Sequence, residues 1–315
     1  MTPFGTTADG HAVHAFTLSA HGLAATILTL GAILQDLRLD GIEHGLTIGS
    51  RNLRDYEGAM KYHGAIVGPV ANRVSGAQAK ISGTVHHFEA NVLGKHTLHG
   101  GTHGTHTRIW QGVQTGPDRL ELTLDLADGD GGFPANRRII AVFDILSGPA
   151  LRLTITTTTD APSIANLTNH SYWNLDGTDH MCDHGLQISS ESYLPTDDEF
   201  VTTGEINHIG GTPFDFSALK NLTLAENPLD NTFCLALARR DLTEVLHLRG
   251  ASGTAMHVAT TEAGIHVFDD RPNHRAIAIE TQSWPDAPNK PDFPSIDITP
   301  NAPIVQITQW RFSKR

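Results

Sequence analysis

The chain has 315 residues and a formal net charge of −12, with 34 Asp and Glu against 22 Lys and Arg. No basic run is available to displace counterions from a phosphate backbone, so the charge balance excludes nucleic acid and favours neutral small molecules as partners. At 39% hydrophobic and 18% charged residues the chain is too apolar for disorder, and 30 Gly with 16 Pro favour many short elements over helical bundles.

From the N-terminus, MTPFGTTADGHAVHAFTLSA lacks both a basic start and a continuous apolar core, so no secretory leader is expected. The most apolar stretch, Leu23 to Leu34 (LAATILTLGAIL), is too short to span a bilayer, so no membrane partner is expected. NLRDYEGAM predicts a short helix, and FSALKNL, much later, another turn or two. Elsewhere period-2 alternation dominates. It marks strands over LELTLDLAD (Leu120 to Asp128), RIIAVFDIL (Arg138 to Leu146), ALRLTITTTTD (Ala150 to Asp160), HRAIAIETQ (His274 to Gln282) and APIVQITQWRF (Ala302 to Phe312). Turn clusters such as ADGDGGFPAN separate them. With no repeat, linker or shift in composition, residues 1–315 read as one large all-β domain of antiparallel sheets packed face to face. Cys182 and Cys234 are far apart and lack CxxC spacing, which speaks against a disulfide framework or a structural zinc. The expectation is a reduced, cytoplasmic protein.

Four stretches carry chemistry-bearing residues. KHTLHGGTHGTH places His96, His99, His103 and His106 within twelve residues. The His99–His103 spacing suits zinc on a helix, but Gly100, Gly101 and Gly104 interrupt it and no Glu follows His99. Two adjacent glycines cost about 2 kcal/mol in a helix interior. The stretch is therefore read as a loop with no metal, solvated or else presenting His99 beside glycines that permit a close backbone approach. NLTNHSYWNLDG sets His170 among amides and hydroxyls, with the Tyr172 or Trp173 ring able to face a sugar; the plain alternative is a satisfied core histidine in a buried turn.

In AIAIETQ, Glu280 shares a face with Ala276 and Ala278, while Ile277 and Ile279 point the other way. A carboxylate at the end of a small-residue face looks into space that a ligand can fill; the alternative is a Glu paired with an Arg on a sheet. PVANRVSGAQ offers Asn72 and Arg73, or a structural ion pair. PLDNTF offers Asp230, or an Asx turn.

Taken in order, GPVANRVSGA, LHGG, GGFPANRR, NLTNHSYWNLDG, SYLPTDDEFVTTGEI, GTPFDF, LDNTF and ETQSWPDAPNKPDFPS with a closing QITQWRF resemble the aldose 1-epimerase (galactose mutarotase) family from about residue 65 onward. The resemblance implies a galactose-mutarotase-like supersandwich with a cleft for a monosaccharide and no cofactor, acting as a monomer or homodimer. It puts the general acid on His170 and the general base on Glu280, and substrate contacts on Asn72, Arg73, His99, Tyr172 and Asp230. Two departures stand out. Trp173 takes the place of a Phe. TEAGIHVFDD (Thr261 to Asp270) replaces the family's PGxQxYTGN, so His266 stands where a sugar-contacting Gln is usual, which puts the preferred sugar in doubt. Expected is an isomerase that interconverts the anomers of a neutral free aldose. The alternatives are a relative for hexose 6-phosphates, a glycosidase or lyase on a similar sandwich, or a non-catalytic sugar-binding protein.

Overall fold

Alternation becomes visible burial along the longest strands of the largest sheet in the computed structural model, which describes residues 1–181 and 183–314. In the Arg119–Leu126 strand, Leu120, Leu122, Leu124 and Leu126 turn inward while Arg119 and Asp125 face solvent. This strand pairs antiparallel with Arg137–Leu146, which pairs with Ala150–Thr159, which pairs with Ile304–Lys314. Thr254–Thr260, Thr243–Arg249, Gly185–Ile188 and Lys220–Asn221 continue a nine-stranded sheet whose other edge is Gln111–Gln114. The closing strand of the chain thus sits in the middle of the largest sheet.

Two further antiparallel sheets share its core. Thr2–Thr6, Ala12–Ala20, Leu23–Leu28 and Leu34–Leu39 form a four-stranded meander. A six-stranded sheet runs in the order Tyr172–Trp173, Ile277–Gln282, Gly264–Asp269, Asp230–Cys234, Ser192–Leu194 and Asn207–His208. One apolar cluster takes Leu18 and Leu23 from the first sheet, Leu122, Phe143 and Trp310 from the largest, and Trp173, Val267, Ile277 and Ile279 from the third. The architecture is the face-to-face antiparallel β-sandwich that the alternation predicts.

Helix is confined, among the described residues, to Leu53–Glu57 and a few single turns. Asn52 caps Leu53–Glu57 by accepting from the Arg54 backbone N–H. The expectation of helix in FSALKNL is corrected. There Lys220 and Asn221 pair as a strand with Leu186 and Gly185, and the Ser217 carbonyl accepts from Gln187, so sheet pairing overrides a weak local propensity. No described helix is long and apolar enough to cross a membrane. Cys182, one of the two cysteines, lies outside the described residues.

Candidate active site

The six-stranded sheet buries both of its faces at the Ile277–Gln282 strand, where every residue is buried. Ile277 and Ile279 enter the main core, leaving Ala278 and Glu280 on the opposite face. Register then builds a grid. Glu280 stands across from His266, and His266 across from Thr232. Two residues along each strand, Ala278 stands across from Phe268 and Tyr172, and Phe268 across from Asp230. The two-residue period thus gathers Asp230, Thr232, His266, Phe268, Glu280 and Tyr172 on one face.

Two tight turns bring the remaining groups. Asn72 and His99 both have positive φ, 57° and 51°, conformations that Asn and His tolerate better than most side chains. The turns are locked reciprocally: the His99 backbone N–H donates to the Asn72 carbonyl (3.0 Å), and the Asn72 backbone N–H donates to His99 Nδ1 (3.1 Å). Gly100 follows with φ 81°, and a Cβ there would run into the Gly68 carbonyl. Only glycine allows that approach.

His170 completes the cluster. Its Nε2 lies 3.5 Å from Glu280 Oε1, and both side chains are almost fully buried. Its ring is 5.2 Å from those of His99 and Tyr172 and stacks on Tyr62 at 5.8 Å; His63 stacks on the far partner, Tyr172, at 4.0 Å. His170 Nδ1, Glu280 Oε2 and Arg73 Nε are buried and find no partner within the protein. Buried polar atoms are ordinarily satisfied, and three orphans in one place mark a site built for a polar ligand.

Electrostatics separate the groups. Burial pushes the Glu280 carboxyl up to about 7, an effect that neighbouring Asp230 reinforces and His266 and Arg73 oppose. Burial, with repulsion from His63, pushes His170 down to about 3. Burial also holds His99 well below its ordinary value, and it lowers His63 and His106 to about 4. For Asp230 burial acts upward, but hydrogen bonding to His266 and the charges of His266, Arg73 and Arg271 outweigh it and keep the carboxylate ionised. Burial therefore keeps the His170 and His99 imidazoles neutral beside one fixed anion, Asp230, and one carboxyl, Glu280, poised at neutrality.

One donor set within the cleft has the composition of a metal site: atoms of His99, His170 and Glu280 all lie within 4.8 Å of one another. Tautomer chemistry argues against ligation through His99. A backbone N–H can only donate, so Nδ1 must accept from Asn72, and the neutral ring carries its proton on Nε2. Neither nitrogen then presents a free lone pair. His99 is instead a fixed hydrogen-bond donor.

The other histidines of KHTLHGGTHGTH go elsewhere. His96 is buried between the Gly76 N–H and Glu199, His103 is 70% exposed beside Glu89, and His106 is buried against Tyr62. His266 commits both ring nitrogens, Nδ1 to Thr232 Oγ1 (2.9 Å) and Nε2 to Asp230 Oδ1 (3.2 Å). Arg271 adds a bond to Asp230 Oδ2 (3.0 Å). Trp173 faces the core, 5.7 Å from Trp310, and not the cleft. The residues expected at the site, Asn72, Arg73, His99, His170, Tyr172, Asp230, His266 and Glu280, are brought together. Sequence reasoning missed Tyr62, His63, Thr232, Phe268 and Arg271. Thr232 and Phe268 were within reach of the period-2 rule, two residues from Asp230 and His266; Tyr62, His63 and Arg271 carried no local signal.

The family model described as "Aldose 1-epimerase" matches residues 14–309. The chain belongs to the aldose 1-epimerase family. It is an enzyme, of an isomerase family. Among its relatives, human galactose mutarotase is 28% identical, covering 96% of this chain and 95% of that one. The aldose 1-epimerase of Escherichia coli is 26% identical, covering 96% of each. Among solved structures, an aldose epimerase homologue from C. elegans superposes with a TM-score of 0.90 at 27% identity, covering 96% of this chain and 99% of that one.

Proposed function

We propose that this member of the family interconverts the α and β anomers of a neutral free aldose by general acid–base catalysis, with Glu280 as base and His170 as acid. The observation that carries the reading is the buried His170–Glu280 pair, 3.5 Å apart, with an unpartnered ring nitrogen and carboxylate oxygen. Ring opening moves two protons: Glu280 takes the one on the C1 hydroxyl while His170 delivers one to the ring oxygen, and the C1–O5 bond breaks. The open aldehyde turns about C1–C2, and the reverse transfers close it on its other face. Each positioned group typically supplies about 10²–10⁴-fold.

The proton balance fits the electrostatics. Cyclic sugar requires ionised Glu280 with protonated His170; open-chain sugar leaves protonated Glu280 with neutral His170. Both arrangements hold one proton in total. Burial favours the second, so the sugar's oxygens and the Arg73 guanidinium must favour the first when cyclic sugar binds. Arg73 and the Nε2–H of His99 are suited to stabilise charge on sugar oxygens, Asn72 holds His99 in that tautomer, and Tyr172 packs beside His170. Asp230 is read as the acceptor for ring hydroxyls, with His266 fixing its orientation. His266 thus meets the sugar through Asp230, and its two committed nitrogens support that role over direct contact.

Polarimetry tests this. The wild-type protein should speed the approach of a fresh α-aldose solution to equilibrium, across a panel of glucose, galactose, xylose, arabinose and fucose. His170→Asn should lose at least about 100-fold. Sugar binding without acceleration by the wild type would assign a non-catalytic binding protein instead.

A further inference from the structure

Residues 196–202 form a short hairpin with Phe200 near its tip. Thr196 and Thr202 bridge at its base, and Asp197 Oδ1 accepts from the backbone N–H groups of Glu199 (2.9 Å) and Val201 (3.0 Å). The hairpin is tied to the histidine-rich stretch. Glu199 Oε2 accepts from Lys95 Nζ (2.5 Å) and lies 3.0 Å from His96 Nε2. His96 Nδ1 accepts from the Gly76 N–H (3.1 Å), which leaves the ring proton on Nε2 to be donated to Glu199. One histidine of the cluster therefore anchors a loop rather than binding a ligand.

The anchored loop presents an anomaly. Phe200 has a φ of 60°, in the left-handed region that a bulky side chain rarely occupies, and it remains 42% exposed. A strained backbone that still leaves a large aromatic ring partly exposed is a cost to the fold, and strain of this kind gathers at functional sites. The ring is aimed inward. It lies 5.3 Å from the Arg73 guanidinium and 6.0 Å from that of Arg271. With Asn72, Asp230, Thr232 and His266 it encloses only about 10 Å³. That is room for about one water. A sugar ring does not fit that space unless the Phe200 ring moves.

We infer that Phe200 is a substrate-contacting aromatic cap; this rests on the cleft being a sugar site. The ring covers Arg73. When an aldopyranose enters, the ring gives way and settles against the C–H face of the sugar, while Arg73 and Asp230 engage its hydroxyl edge. An aromatic face complements the apolar face of a pyranose in the way it packs on other rings. Specificity then has two parts: the polar wall reads hydroxyls, and Phe200 requires a flat C–H face.

Phe200→Ala should raise KM about tenfold and change kcat less than about threefold, and Phe200→Trp should restore KM to near the wild-type value. The second variant also gives a direct readout. Trp110, Trp173, Trp284 and Trp310 are each 1% exposed or less, so the introduced indole is the one that acrylamide reaches. Saturating aldose should protect it from quenching. Unchanged quenching, or a KM within twofold of wild type in Phe200→Ala, would overturn the cap while the wild type still accelerates mutarotation. Protection from quenching without acceleration by the wild type would uphold the cap and sink the catalytic reading instead.

Discussion

Burial acts on Glu280 and His170 in opposite directions, raising one to about 7 and lowering the other to about 3. Because the proposed reaction uses the form of the pair that carries one proton, kcat/KM should be lost as pH rises through about 7 and again as it falls through about 3. A profile still flat at pH 9, after subtraction of the uncatalysed rate, would contradict this. The same shift has a cost in stability. Between the ordinary 4.5 and about 7 the folded protein holds a proton on Glu280 that the unfolded chain has released, so this contribution is full below about pH 4.5 and lost as pH rises through about 7. Glu280→Gln removes the charge, and at pH 8 urea denaturation should show it on the order of 3 kcal/mol more stable than wild type, with little difference at pH 4.5.

Strands and turns divide the labour of placing these groups. The face of Glu280 was legible in AIAIETQ because a two-residue period leaves no choice: with Ile277 and Ile279 in the core, Ala278 and Glu280 must point away. What lies across from Glu280 was not legible, because pairing joins residues far apart in sequence; only the fold puts His266 there. Nor could the spacing of histidines say which of four enters the cleft. That is decided by the turn at Gly100, where the chain passes against the Gly68 carbonyl. Gly100→Ala, strained at φ 81° and blocked by backbone, should lose more than 2 kcal/mol of stability or displace His99, with kcat/KM falling at least tenfold. Thermal melts and polarimetry on the same preparation check both.

Over the whole molecule, the sandwich was the most legible feature, since alternation recurs along Arg119–Leu126, Arg137–Leu146, Ala150–Thr159 and Ile304–Lys314, and one core of Leu18, Phe143, Trp173, Ile279 and Trp310 joins all three large sheets. The short pairings escaped, FSALKNL among them, because two-residue strands have no period to read. Net charge also acts at this scale. At −12 the protein repels anions, and at the cleft both Arg271 and Arg73 already face carboxylates. Glucose should therefore be turned over with a higher kcat/KM than glucose 6-phosphate, with the gap narrowing as salt rises. Preference for the phosphate would assign a hexose-6-phosphate enzyme instead.

In the proposed mechanism one carboxylate and one imidazole interconvert the anomers. Magnetisation transfer between the H1 resonances of α- and β-aldose at equilibrium reads that step without net turnover. The wild type should exchange them measurably, and Glu280→Gln, folded by circular dichroism, should reduce the rate at least about 100-fold. Exchange at the wild-type rate in Glu280→Gln would contradict the account.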